Sequence, residues 1–587
     1  MPYHKLSEEK RGWVHIPLPI FYQSHRNAAM LFSSLAFMSK GHTIPLLHLS
    51  RLLLSRGLAV IVFTTPANRP FIDQFLYGDT AASVVDIPFP QNIHPEIPAG
   101  VESTNKLSSV DERLFYPFAL ATKHMQVDFE KALGSLPRVS FMVSDSFLWW
   151  SLDSATKFGF PRLAFYGFNN YAGSVTRFVA QNGLLHGPES DNELITLTRF
   201  PWIKITKEDF GSSFRNHSPE GSEFLMNVVG AVVNSFGVVT NSFYELEPVF
   251  VDYWNTESSP KSWNVGPLCQ LKPKSVLQDD KPVWIEWLDK KKVEGSRVLY
   301  VAFGTQAVIS SEQLQEIANA LEKSDVNFLW VIRKKESYTW WDSEFEERVR
   351  GRGMVVSEWV DQTEILNHES VEGFLSHCGW NSAMEAICAG VPILAWPMMA
   401  EQPLNARMVV EEIKVGLRVE TCNGSVRGFV KAERLEKMVK KLMEGEVVRK
   451  KVKEVGEVAR KAVEEGGSSW RTLGLLIDES FGKSLVDFMS QVGRRRGGFR
   501  MEDRDINNDM AEIKRMLQQL AVRIDHIEAR RRSRKSSDRE RDVTTYHQRV
   551  DRIEIFYQDG DSFDGEICIG PIHNCASLCE SNEEGHI

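Results

Sequence analysis

Two groups of residues in this chain have types and spacings that could do chemistry together. The first is a histidine and an aspartate. His42 lies in SKGHTIP, where a strand-like apolar run turns into a helical pattern, and Asp145 closes the apolar run SFMVSD. A neutral hydroxyl is a weak nucleophile until a base takes its proton, and an imidazole with an ordinary pKa of about 6.5 suits that task. A carboxylate on the other ring nitrogen would hold the imidazole and stabilise its charged form. Asp153, on the following helical pattern, is a poorer candidate for that partner. On their own, a turn histidine facing solvent and a helix-capping aspartate would be the ordinary readings.

The second group is the stretch Trp359–Gln402, WVDQTEILNHESVEGFLSHCGWNSAMEAICAGVPILAWPMMAEQ. Trp359 closes a strand-like run, where an aromatic face could stack on a base for about 1–3 kcal/mol. His377, Gly379, Asn381 and Ser382 stand between a strand-like VEGFL and a helix-like SAMEAICAG. A glycine there lets backbone approach a ligand, Asn381 or Ser382 would cap the helix, and the free N–H groups of a helix start suit a diphosphate. Glu385, one turn further on, could accept both hydrogen bonds of a ribose diol. Glu401 and Gln402 follow VPILAWP, and a carboxylate beside an amide suits several sugar hydroxyls. Each residue alone has a plainer role: a core tryptophan, a helix cap, a solvated glutamate.

These residues need elements to hold them. From about Ala28 to Pro267 short β-branched runs (LAVIVFTTP, SVVDIPFP, VSFMVSD, RLAFYGF, GVVTNSF) alternate with helical patterns such as IPLLHLSRLLLSRG, which Gly57 closes. CQLKPKSVLQDDKP is polar and without period and reads as a linker. A second alternating series then runs through SRVLYVAFGT, SEQLQEIANALEKS, NFLWVIR and GMVVSEWV. Such alternation predicts two mainly parallel sheets flanked by helices, with ligands at the carboxyl ends of their strands. The first strand carries Ser33 and Ser34, which would twist or shorten it.

The stretch Trp359–Gln402 resembles the secondary product glycosyltransferase signature of plant family 1 UDP-glycosyltransferases. Its length and the pattern W…Q…HCGWNS…E…GVP…WP…EQ agree, and FMSKGHTIPLL, FMVSDSFLWW, NSFYELE, VGPL and VAFGTQ extend the likeness to about Phe37–Phe481. The resemblance implies a GT-B fold: two facing Rossmann-like domains and an interdomain cleft, the acceptor in the first and the UDP-sugar donor in the second. It implies His42 as general base held by Asp145. It implies donor contacts from Gly304, Thr305, Trp359, Val360, Gln362, His377, Gly379, Trp380, Asn381, Ser382, Glu385, Glu401 and Gln402. Trp359 would stack on uracil with Gln362 nearby, and Glu385 would hold the ribose. The Gly304–Thr305 turn, His377, Asn381 and Ser382 would hold the diphosphate, and Trp380, Glu401 and Gln402 would meet the sugar. A terminal Gln in this family tends to accompany glucose. The implied reaction is an inverting O-glycosyl transfer to a plant secondary metabolite such as a flavonoid or other phenolic. It needs no metal and no cofactor beyond the UDP-sugar co-substrate.

The expected organisation is an extension over 1–26, an acceptor domain over 27–267, a linker over 268–282 and a donor domain over 283–455. Helices over 456–483 would pack back on the first domain, and a charged, mostly disordered tail would fill 484–587. The tail holds a short heptad segment (Ile513, Leu517, Leu520, Ile524, Ile527) and resembles the gag-type leader of plant retroelements. Its Cys568, His573, Cys575 and Cys579 fit no standard zinc spacing. A net charge of −9 argues against a polyanion partner for the whole chain, and seven cysteines in 587 residues do not make a disulfide framework. The N-terminal residues mix charges and are broken by Pro17 and Pro19, a poor secretory signal. No apolar run is long enough to span a membrane. A cytoplasmic chain, monomeric unless the heptads associate, is expected. An NAD-dependent enzyme lacks its glycine fingerprint after the first strand. The alternative is a catalytically impaired relative whose tail self-associates or binds nucleic acid through Arg494–Arg496 and Arg530–Lys535.

Overall fold

The computed structural model describes residues 31–107, 112–211, 218–270, 281–332 and 343–496. The N-terminal extension, the heptad segment, the basic run Arg530–Lys535 and the tail cysteines lie outside them. So does most of the expected linker.

The first half contains β1 (Leu31–Leu35), β2 (Ala59–Thr64), β3 (Ala82–Asp86), β4 (Phe141–Asp145), β5 (Arg162–Tyr166), a short pair β6 (Ile195–Thr196) and β7 (Lys204–Ile205), β8 (Gly237–Thr240) and β9 (Ser262–Asn264). Seven of these form one sheet in the order β3-β2-β1-β4-β5-β8-β9, parallel throughout; β6 and β7 pair antiparallel. The second half contains β10 (Val298–Ala302), β11 (Asn327–Val331), β12 (Gly353–Val356), β13 (Val371–Ser376), β14 (Ile393–Ala395) and β15 (Gly416–Arg418). They form a second parallel sheet, β12-β11-β10-β13-β14-β15.

Both orders run outward from a first strand, then restart beside it. The crevice of a doubly wound sheet opens at that restart, beyond the strands' carboxyl ends. In the first sheet it falls between β1 and β4, which deliver His42 and Asp145. In the second it falls between β10 and β13, which deliver Gly304 and His377. Two Rossmann-like halves within one compact unit are the GT-B arrangement that the resemblance implied.

Helices cover both faces of each sheet, so the strands are apolar on both sides. In the first sheet Phe32, Val60, Val62, Phe141 and Val143 face one cluster, while Leu35, Ile61, Phe63 and Met142 face another. Ser33 and Ser34 do not shorten β1, which pairs over its length with β2 and from Phe32 to Leu35 with β4. The ladder is made by backbone groups, and a serine is small enough to be buried there. The Ser33 hydroxyl is buried there without a partner. The helix Glu446–Val463 packs in the second half. After a turn, Ser468–Arg496 crosses to the first sheet and buries Leu473, Leu476 and Ile477 beside Phe141 and Val143. Domain limits at 455 and 483 would therefore each cut a helix.

Candidate functional site

His42 sits in the first turn of the helix Lys40–Ser55, which Ser39 starts from extended backbone. Its Nδ1 lies 2.7 Å from Asp145 Oδ2. Asp145 is the last residue of β4 and fully buried; its Oδ1 accepts the Phe147 N–H at 2.9 Å. Behind it the buried Arg162 donates to the Asp145 carbonyl at 3.1 Å and to Ser144 and Ser235. Asp145 is thus held on every side, and His42 Nε2 is the ring nitrogen not turned to it. Burial opposes a charged His42, but the charge and hydrogen bond of Asp145, helped by Glu401, outweigh it and raise the pKa.

Aromatic rings wall the space around His42. Phe147 lies 4.9 Å and Phe37 5.5 Å from the imidazole, centroid to centroid. Phe115 and Phe224 continue the wall from Phe147. Phe37, two residues after β1, and Phe224, on the helix Pro219–Val233, each look like an ordinary core aromatic until the fold gathers them.

Across the cleft, the turn after β13 puts Cys378 at φ 61, a left-handed conformation that a side chain rarely adopts and that costs of order 1–3 kcal/mol. It turns the chain so that the helix Trp380–Ala389 starts at once, with Gly379 as its first cap. Asn381 and Ser382, expected to cap this helix, lie inside its first turn. A Cβ on Gly379 would stand 2.5 Å from His377 Nε2, and one on Gly304 (φ 73) 2.7 Å from the same atom. The two glycines thus sandwich the His377 ring. Burial pushes that ring's pKa down to about 4, so it is neutral at ordinary pH, beside the helix start.

Gln362, Ser382 and Glu385 form one cluster. Gln362 donates to Ser382 Oγ at 2.8 Å and to Glu385 Oε2 at 2.6 Å, and accepts from the Tyr300 hydroxyl at 3.3 Å. Burial raises the Glu385 pKa to about 7, against the Gln362 hydrogen bond. Trp359, 58% exposed, touches Phe71 edge-on and keeps a face open. Val360 is buried in the core below it.

Glu401 and Gln402 stand where expected, beyond β14. Burial raises the Glu401 pKa although His42 draws it down. Gln402 Oε1 accepts the Met398 and Met399 N–H groups at 3.0 and 2.9 Å, so only its amide nitrogen is left for a ligand. The Trp380 ring is buried and its indole N–H is given to the Asn241 carbonyl at 2.8 Å, in the seam between the halves. Asn405, unread in the sequence, is fully buried and donates to the Cys378 carbonyl at 3.0 Å while accepting from Asn169. It ties the turn after β13 to the helix that follows Glu401.

Residues 276–460 match the family described as UDP-glucoronosyl and UDP-glucosyl transferase. The chain is 53% identical over 470 residues to UDP-glycosyltransferase 90A1 of Arabidopsis thaliana, covering 78% of this chain and 97% of that protein. In structure it is similar to Glycyrrhiza uralensis UGT73P12 in complex with glycyrrhetinic acid 3-O-monoglucuronide. The TM-score there is 0.71 and the identity 29%, over 80% of this chain and 99% of that one. It is also similar to Phytolacca americana UGT2 in complex with UDP-2fluoro-glucose and pterostilbene, with a TM-score of 0.64 and 26% identity over 77% of this chain and all of the other.

Proposed function

The chain belongs to the plant family 1 UDP-glycosyltransferases, and we propose that it moves glucose from UDP-glucose to a hydroxyl of a flat phenolic metabolite, such as a flavonoid, with inversion at the anomeric carbon. The observation that carries this reading is the His42–Asp145 pair, held at 2.7 Å with the Phe147 ring packed on the imidazole. The Phytolacca relative, bound to a fluorinated UDP-glucose and a stilbene, supports both halves of the assignment.

In this reading uracil stacks on Trp359, the ribose hydroxyls bond to Glu385, and the diphosphate lies at the start of the helix Trp380–Ala389 beside Thr305, His377 and Ser382. That helix end offers free N–H groups and partial positive charge. Glu401 and the Gln402 amide nitrogen hold the glucose. His42 Nε2 takes the acceptor proton and the oxygen attacks the anomeric carbon. The bond to the diphosphate breaks, its electron pair leaving on UDP. Asp145 steadies the imidazolium. No step is assigned to a metal. Sparse cysteines favour the cytoplasm as the compartment, and among the described residues no helix is long and apolar enough to cross a membrane.

The test is the full chain with UDP-glucose and a panel of phenolic, hormone and terpenoid aglycones, products being separated and weighed by mass spectrometry. His42→Ala should abolish transfer while UDP still binds in calorimetry. A fully active variant would refute the base assignment, and glucosides of terpenoids alone would refute the phenolic one.

A further inference from the structure

Resting on that reading, we infer that Gln306 is a positioning residue that sets the base against the donor. Gln306 follows the Gly304–Thr305 turn at the end of β10, in the donor half. Its single amide nitrogen donates to Ser39 Oγ at 2.8 Å and Thr104 Oγ1 at 2.7 Å, both in the acceptor half. These targets are buried: Ser39 is 4% exposed and Thr104 is inaccessible.

Their place in the fold gives the contact its meaning. Ser39 is the N-cap residue of the His42 helix, yet its hydroxyl makes no capping bond; it is turned to Gln306 instead. Thr104 sits in the acceptor-side loop, whose Ser103 hydroxyl and Thr104 N–H both bond to the Met38 carbonyl, at 3.1 and 2.9 Å. The acceptor loop and the start of the base helix are thus one bonded unit, and one side chain catches it at both ends. A second donor-side group adds to the hold: Asn381 donates to the Gly41 carbonyl at 2.6 Å. His42 is therefore flanked, at positions 39 and 41, by ties to the two turns that would cup the diphosphate.

The Gly304–Thr305 turn has little freedom, because Gly304 packs on the His377 ring. A diphosphate seated on so stiff a turn would bear directly on Gln306. Donor occupancy would then be transmitted to the distance between His42 Nε2 and the anomeric carbon. Loss of about an ångström in such an alignment can cost up to a hundredfold in rate. Neither half can supply this alignment alone, since the base and the electrophile belong to different halves.

The experiment uses the full chain and four variants: Gln306→Ala, Ser39→Ala/Thr104→Ala, all three of those changes together, and Gln306→Asn. With UDP-glucose and the best acceptor of the panel, Gln306→Ala should lower kcat roughly tenfold or more, with UDP affinity in calorimetry and the melting temperature nearly unchanged. Ser39→Ala/Thr104→Ala should lower kcat similarly, and the triple variant should be no worse than either. Non-additivity of that kind identifies residues acting through one another. Gln306→Asn, one methylene shorter, should not rescue. Wild type that transfers no sugar to any acceptor would refute the reading of the site, and this inference with it. An active wild type with an unchanged kcat in Gln306→Ala, or with losses that multiply in the triple variant, would overturn the positioning role alone. Equal loss of UDP affinity and kcat would reassign Gln306 to donor binding and overturn it too.

Discussion

Replacing Asp145 by Asn probes the centre of the proposed chemistry. The amide is nearly the size of the carboxylate, and its oxygen can still accept the Phe147 N–H. Its NH2 group would then face His42 Nδ1, which must become an acceptor. That moves the ring proton to Nε2, where it blocks the lone pair that should receive the acceptor's proton. The charge that steadies the imidazolium is also lost. With charge centres about 4 Å apart and an effective dielectric of about 20, that attraction is ~4 kcal/mol. At about 1.4 kcal/mol per decade, kcat should fall by roughly a thousandfold. The pH dependence gives a second readout. The base must be neutral, and in the native protein its pKa is raised above 6.5. Activity should therefore fall on acidification through a value above 6.5. In Asp145→Asn burial remains, which lowers the pKa, while the carboxylate's opposing effect is gone. The acid limb should move to the acid side of 6.5. Steady-state kinetics from pH 5 to 9, with UDP affinity measured in parallel, would settle it. A kcat within tenfold of wild type, or an acid limb that stays in place, would refute the account.

Trp359→Ala should weaken UDP binding by about 1–3 kcal/mol, some 5- to 150-fold, read by calorimetry, if its exposed face is the stacking surface proposed above. Glu385, with a pKa near 7, accepts diol hydrogen bonds best when ionised. UDP affinity should drop as pH falls from 8 to 6, and this dependence should vanish in Glu385→Gln. Ser33→Ala removes a buried hydroxyl without a partner, so it should raise the melting temperature by a few degrees, seen by scanning calorimetry; a lower value would mean that the hydroxyl is bonded after all.

Much of the donor side was legible because its residues are contiguous and because chemistry restricts their types. The strand-to-turn-to-helix run around His377 has to look as it does for backbone to reach an anion. What stayed hidden depends on partners far along the chain. No linear motif shows that the Trp380 indole is satisfied by Asn241, 139 residues away. Asn381 reads as a helix cap, but the strained Cys378 turn starts the helix earlier and sends the Asn381 amide to Gly41. The aromatic cluster beside His42 draws Phe37, Phe115, Phe147 and Phe224 from four separate parts of the chain, and no local spacing marks them as neighbours. β9 and β15, each three residues long, are too short to show a period.

The last described helix has a consequence for how the chain reaches its fold. Leu473, Leu476 and Ile477 complete a cluster whose other members, such as Phe32, Leu53 and Val143, come hundreds of residues earlier. During synthesis that cluster first emerges with only the members its own half supplies, such as Leu46, Leu49 and Ile72. It lacks its last helix until the whole donor half has been made and the chain has crossed back. Loop closure over that separation slows folding, and apolar surface exposed meanwhile is prone to misassociation. The N-terminal half should therefore be less stable by itself than in the finished chain. A nascent chain stopped before Ser468 should hold it only loosely, and chaperones should engage it until the ribosome has passed that point.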